Sequence, residues 1–201
     1  MSPTIHPGTI VAAGTYPQLV ANRRTYGDRT YGDRHLQRQD MAANMVKEAA
    51  DCLVYVLLER DRWDRRRPDL HPFTGDLHAL DRGARRLGSL CEHAARHLAG
   101  GDQPAFDAVF RERWQFGLRN YGDQHLERDN LAEILEEVAD IQILGLLELD
   151  RREKTHRLAT ADRTLLAVVD AEAARFAGDV VSLRDRVLAA ASSLAWASCS
   201  S

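Results

Sequence analysis

Four carboxylates, Glu133, Glu136, Glu137 and Asp140, stand in the stretch DNLAEILEEVADIQILGLLELD at steps of three and four residues. In a helix turning about 100° per residue they share one face. Leu131, Ile134, Leu135, Val138 and Ile141 cover most of the other side, and no lysine or arginine interrupts the acidic stripe. Carboxylates so placed form an oxygen cradle for a hard cation such as Mg²⁺, with Mn²⁺ as a chemical substitute. An exposed acidic face near a helix N-terminus is also ordinary. Each like-charge pair costs only about 0.2–0.5 kcal/mol, and the helix dipole offsets part of that. Asp140 is more informative, because VADIQILGLL is apolar on nearly every side and predicts a buried position. A buried, unpaired carboxylate costs on the order of several kcal/mol, so Asp140 needs a partner. An arginine, a neighbouring helix cap or a metal ion would each serve.

The same chemistry recurs upstream. YGDRHLQRQDMAANMVKEAADCLVYVLLERDR (31–62) is similar to YGDQHLERDNLAEILEEVADIQILGLLELDR (121–151). Tyr31, Gly32, Asp33, His35, Leu36 and Arg38 match Tyr121, Gly122, Asp123, His125, Leu126 and Arg128. After a one-residue gap, Glu48, Ala50 and Asp51 match Glu137, Ala139 and Asp140, and Asp81 aligns with Asp170 further on. Two long copies predict a duplicated domain rather than a solenoid of many short units. The expected division is an N-terminal arm over 1–24, a first copy over 25–118 and a second over 119–201, with the doubled TYGDR at 25–34 as a local stutter. The first copy lacks most of the stripe: Asn44 and Lys47 stand where the second has Glu133 and Glu136. Lys47 would repel a cation. It could instead face the phosphates of a ligand with Arg34 and Arg38, with Arg128 as the second copy's counterpart. His35 and His125 follow the Gly-Asp turn in both copies. Each could donate to a phosphate or relay a proton, or simply hold the turn at the helix entrance.

The elements that must carry these residues are helical almost throughout, and no stretch alternates strictly enough to predict a strand. Helices are expected over about 40–64, 76–99, 104–120, 129–152, 160–177 and 180–197, with Pro104 in a first turn and Gly178-Asp179 as the last break. The first 24 residues read as an irregular arm or short helix. The predicted fold is all-α, a helical bundle in which a pseudo-twofold axis relates the two copies.

Composition narrows the partners. The 201 residues are 44% apolar and 28% charged, as in ordinary globular proteins. A net charge of −3 offers no general attraction to nucleic acid. RDRWDRRR (60–67) reads as a solvated helix end. The three cysteines, Cys52, Cys91 and Cys199, are scattered without metal spacing and read as reduced thiols. His93 and His97 lack the glutamate and third ligand of a zinc motif. No apolar run reaches membrane-spanning length and no signal pattern opens the chain, so the expectation is a cytoplasmic protein without membrane partners.

Glu-x-x-Asp before a long apolar run, as in EEVADIQILGLLE and KEAADCLVYVLLE, with Tyr55 four residues after Asp51, resembles the metal-binding helix of MazG-like nucleotide pyrophosphohydrolases, members of the all-α NTP pyrophosphatase superfamily. The phrase YGDQHLERDNLAE ahead of it is similar to small helical proteins of bacteriophages. The resemblance covers about 30 residues in each copy. It implies Mg²⁺-dependent hydrolysis of a nucleoside triphosphate to monophosphate and pyrophosphate, acting on the nucleotide pool in the host cytoplasm if the protein is phage-encoded. It also implies Glu137 and Asp140 as metal ligands, with Glu48 and Asp51 as counterparts; Glu133 and Glu136 are added by helical geometry. Such enzymes usually form dimers, which a fused pair of units would partly imitate, and the last helix could also dock on a second chain as a homodimer. One feature departs from the family: a preceding Glu-Glu-x-x-Glu helix is absent, so the missing ligands must come from Asp123, Asp170 or the facing copy. The alternatives are an inactive protein of the same fold that binds a nucleotide or nucleotide-like signal, or a helical interaction protein.

Overall fold

The computed structural model describes residues 15–31, 41–99 and 102–199, all helical apart from short connections, with no strand among them. Its α-helices are α1 (Tyr16–Tyr31), α2 (Met41–Arg66), α3 (Thr74–Ala99), α4 (Phe106–Tyr121), α5 (Asn130–Lys154) and α6 (Thr160–Cys199). Two 3-10 segments, Pro68–Phe73 and Gly122–Glu127, precede α3 and follow α4. The all-α bundle expected from the periodicity is what the chain forms.

Helices α2 and α5 are the central pair and pack on each other most extensively. Their seam is apolar: Met45, Ala49, Cys52, Leu53 and Val56 on α2, and Leu131, Ile134, Leu135, Val138 and Ile141 on α5, are all buried. Helix α3 packs on α2, α6 packs on α5, and α3 and α6 also meet. The buried positions of α3 recur in α6 at a constant spacing: Leu77, Leu80, Ala84, Leu87, Cys91 and Ala94 correspond to Leu166, Val169, Ala173, Phe176, Val180 and Leu183. The remaining two helices are crossed. Helix α1, which leads into α2, lies on α5, whereas α4, which leads into α5, lies on α2.

Local chemistry explains most of the boundaries. Arg65 and Arg66 occupy the last turn of α2, where cations suit the dipole, and Pro68 begins the 3-10 turn beyond. Asp129 caps α5 by accepting from the Ala132 N–H at 3.1 Å. At the other end of α5 His156 turns left-handed, with φ 55°. Two expected boundaries differ. Pro104 lies before the N-cap Ala105 rather than in the first turn, and the orphan Phe106 N–H donates to Glu92 of α3 at 2.8 Å. Gly178-Asp179 does not break the chain, since α6 continues through it. A glycine inside a helix costs only about 1 kcal/mol, and the buried row from Val169 to Leu183 runs through this point. The stretch expected as an irregular arm or short helix is helical from Tyr16, and α1 runs on across residue 24. Cys52 and Cys91 are buried and unpaired, and no described helix is long and apolar enough to cross a membrane.

Candidate metal centre

Where α2 crosses α5, carboxylate oxygens of Glu48, Asp51 and Glu137 all lie within 4.8 Å of one another. Each glutamate projects from one central helix toward the other, a consequence of the Glu-x-x-Asp spacing on two facing helices. The carboxyls of Glu48 and Glu137 face each other within that distance. Like charges held this close disfavour each other's ionised form. Burial, followed by the charges of Glu48, Asp51 and Asp140, pushes the Glu137 carboxyl well above its ordinary range. Burial also raises Glu48.

Arginines close the centre on both sides. Arg113 of α4 grips Asp51 with two nitrogens, Nε to Oδ1 at 2.7 Å and Nη2 to Oδ2. Arg23 of α1 grips Asp140 in the same bidentate way, with Nε to Oδ1 at 2.7 Å and Nη2 to Oδ2. The remaining Nη1 of Arg23 donates to Glu136 Oε2 at 2.9 Å. Burial raises Asp51 even against the pull of Arg113, and pushes Glu136 up to about 7 against the pull of Arg23. The other oxygen of Glu136, Oε1, is buried and has no hydrogen-bond partner.

The residues singled out in the sequence are thus placed unequally. Glu48, Asp51 and Glu137 come together, while Glu136 and Asp140 are held beside them by Arg23. Asp140 is not the buried residue its neighbours suggest: its side chain is 29% exposed, whereas Asp51 is buried. Glu133 is half-buried, with Arg128 Nε 4.0 Å from its carboxylate. Lys47 is exposed and donates to Asn44 Oδ1 at 3.2 Å, along its own helix. His125 is buried in the 3-10 turn, its ring nitrogens 3.0 Å from the Gly122 carbonyl oxygen and 2.7 Å from Asp61 Oδ2. One nitrogen closes the turn on itself and the other ties it to α2. Arg34, His35 and Arg38 lie outside the described residues. Asp123 pairs with Arg65 and Asp170 accepts from Gln142, both outside the carboxylate cluster.

Arg23 and Arg113 are the functional candidates that the sequence reading missed. A signal for them was present: continued backward at the spacing that relates Tyr31 to Tyr121, the repeat sets Arg23 opposite Arg113, and Leu19 opposite Val109, both buried. Further along α2 and α4 a cavity of about 500 Å³ opens, lined by Leu57, Leu58, Asp61, Trp114, Leu118 and His125 among others. No family model matches the chain, and neither the curated proteins nor the solved structures contain a match.

Proposed function

We propose that the protein is a Mg²⁺-dependent nucleoside triphosphate pyrophosphohydrolase, built as two tandem copies of a MazG-like unit. The observation that carries this reading is the convergence of Glu48, Asp51 and Glu137 from two facing helices to within 4.8 Å. Three hard oxygen donors at one point suit a small divalent cation that keeps part of its water shell. The matched burial of α3 and α6 and the crossed placement of α1 and α4 support the duplication. The cavity supports a nucleoside: it begins about 10 Å along α2 from Asp51 at 1.5 Å per residue, has the size of a small-molecule site, and offers Trp114 as an aromatic face.

A bound cation would activate water and offset the negative charge that develops on the phosphoryl oxygens. Glu48 and Glu137 would hold it once the proton between them leaves, and Asp51, fixed by Arg113, would complete the donor set. Arg113 also brings a positive charge to the edge where a triphosphate would lie.

A second reading, an inactive relative that binds a nucleotide, is favoured by the arginines on Asp51 and Asp140, which already neutralise two of the expected ligands. One experiment separates the two. The protein is incubated with Mg²⁺ and a panel of NTPs and dNTPs, and products are resolved by chromatography beside Glu48→Gln and Glu137→Gln. Monophosphate plus pyrophosphate, lost in both variants, is the expected result. A nucleotide-induced rise in Tm without turnover would replace the enzyme with the binding protein.

A further inference from the structure

The centre has a second half, and a cation of the protein's own fills it. On α5, Glu136 directly precedes Glu137, and Asp140 follows it by about one turn. The guanidinium of Arg23 bridges these two, with two contacts to Asp140 and one to Glu136. Arg23 does not satisfy this half completely. The Glu136 side chain is only 6% exposed, yet its Oε1 has no donor. A buried carboxylate oxygen without a partner is costly and marks a place where a cation or its bound water would be accommodated. The corresponding half on α2 differs: Asn44 and Lys47 replace Glu133 and Glu136, and Lys47 supplies a fixed positive charge. Arg113 therefore hydrogen-bonds to a single aspartate beside the Glu48–Glu137 pair, whereas Arg23 hydrogen-bonds to two acids outside that pair.

We propose that Arg23 is a built-in occupant of a second divalent-cation subsite formed by Glu136 and Asp140, and that it restricts the centre to one exchangeable ion at Glu48, Asp51 and Glu137. The one-ion count rests on the reading of that centre given above; the blocking role of Arg23 does not. The two arginines, alike in spacing and geometry, then have different consequences. Removing Arg23 uncovers a subsite with several acidic oxygens. Removing Arg113 releases only Asp51, already a member of the first site, and adds none.

The test counts ions, with Mn²⁺ alone as the probe. Free Mn²⁺ is followed by electron paramagnetic resonance during titration of the wild-type chain, Arg23→Gln, Arg113→Gln and the double variant Arg23→Gln/Asp140→Asn. Circular dichroism checks the fold of each, and Arg23→Met is used if Arg23→Gln does not fold. One ion per chain in the wild type and in Arg113→Gln, two in Arg23→Gln, and one again in the double variant are the expected results. Two ions in the wild type, or one in a well-folded Arg23→Gln, would overturn the proposal. No ion in the wild type but one in Arg23→Gln would support Arg23 as the occupant while refuting the Glu48–Asp51–Glu137 site. No ion in any variant would overturn both.

Discussion

Replacing Glu137 with glutamine removes one carboxylate from the Glu48–Asp51–Glu137 cluster while keeping its size. The oxygens of Glu48 and Glu137 lie within 4.8 Å, so two full charges there would repel by about 3.5 kcal/mol at an effective dielectric of about 20. The folded protein avoids this by keeping a proton that the unfolded chain releases above its ordinary value of 4.5. The folded state therefore binds more protons than the unfolded state above that pH, and stability falls as pH rises until the raised folded pKa is passed. This contribution is fully present below pH 4.5. Glu136, raised to about 7, gives a slope of the same sign. Asp69 and Asp123, held low by Arg67 and Arg65, act oppositely but only below about pH 3.8. Urea unfolding of wild type and Glu137→Gln at pH 5, 7 and 9 reads the effect. Near pH 5 the two should be nearly equal, because glutamine resembles the protonated acid. At pH 9 the variant should be more stable, by up to about 3 kcal/mol. With Mg²⁺ the order should reverse, since the wild type alone gains binding energy. A variant destabilised equally at every pH would mean that Glu137 is an ionised, paired carboxylate, and the account of the centre would fail.

The arginine braces and the close helix contacts make separate predictions. Arg113→Ala leaves Asp51 buried and unpaired. Breaking a fully buried pair costs about 3–5 kcal/mol, and Arg113 is 39% exposed, so a loss of about 1–3 kcal/mol is expected in urea unfolding, partly restored by adding Asp51→Asn. A change within error would show that Asp51 has another partner. Gly88 and Gly178 should respond oppositely to alanine. A Cβ at Gly88 would lie 2.2 Å from Cε2 of the buried Phe106, so a loss of about 1–3 kcal/mol is expected. A Cβ at Gly178 meets nothing within 4 Å, and alanine in that helix interior should stabilise by about 0.5–1 kcal/mol. Equal thermal shifts in the two variants would contradict this packing.

Periodicity alone was enough for the helices and for the all-α class, because a buried face needs apolar residues every three or four positions whatever it packs against. The repeated Glu-x-x-Asp, through its resemblance to a metal-binding helix, put Glu48, Asp51 and Glu137 among the candidates, since the motif is legible without knowing the partner helix. The break expected at Gly178 failed because a local glycine penalty of about 1 kcal/mol is outweighed by a continuous buried face. Glu136 and Asp140 share the helix face of Glu137, and spacing could not tell that an arginine would claim them. That assignment depends on α1 crossing to α5 and α4 crossing to α2, a choice between helices far apart in the chain. Helix spacing determines which residues face the same way; only the packing of helices distant in sequence decides which charges they meet.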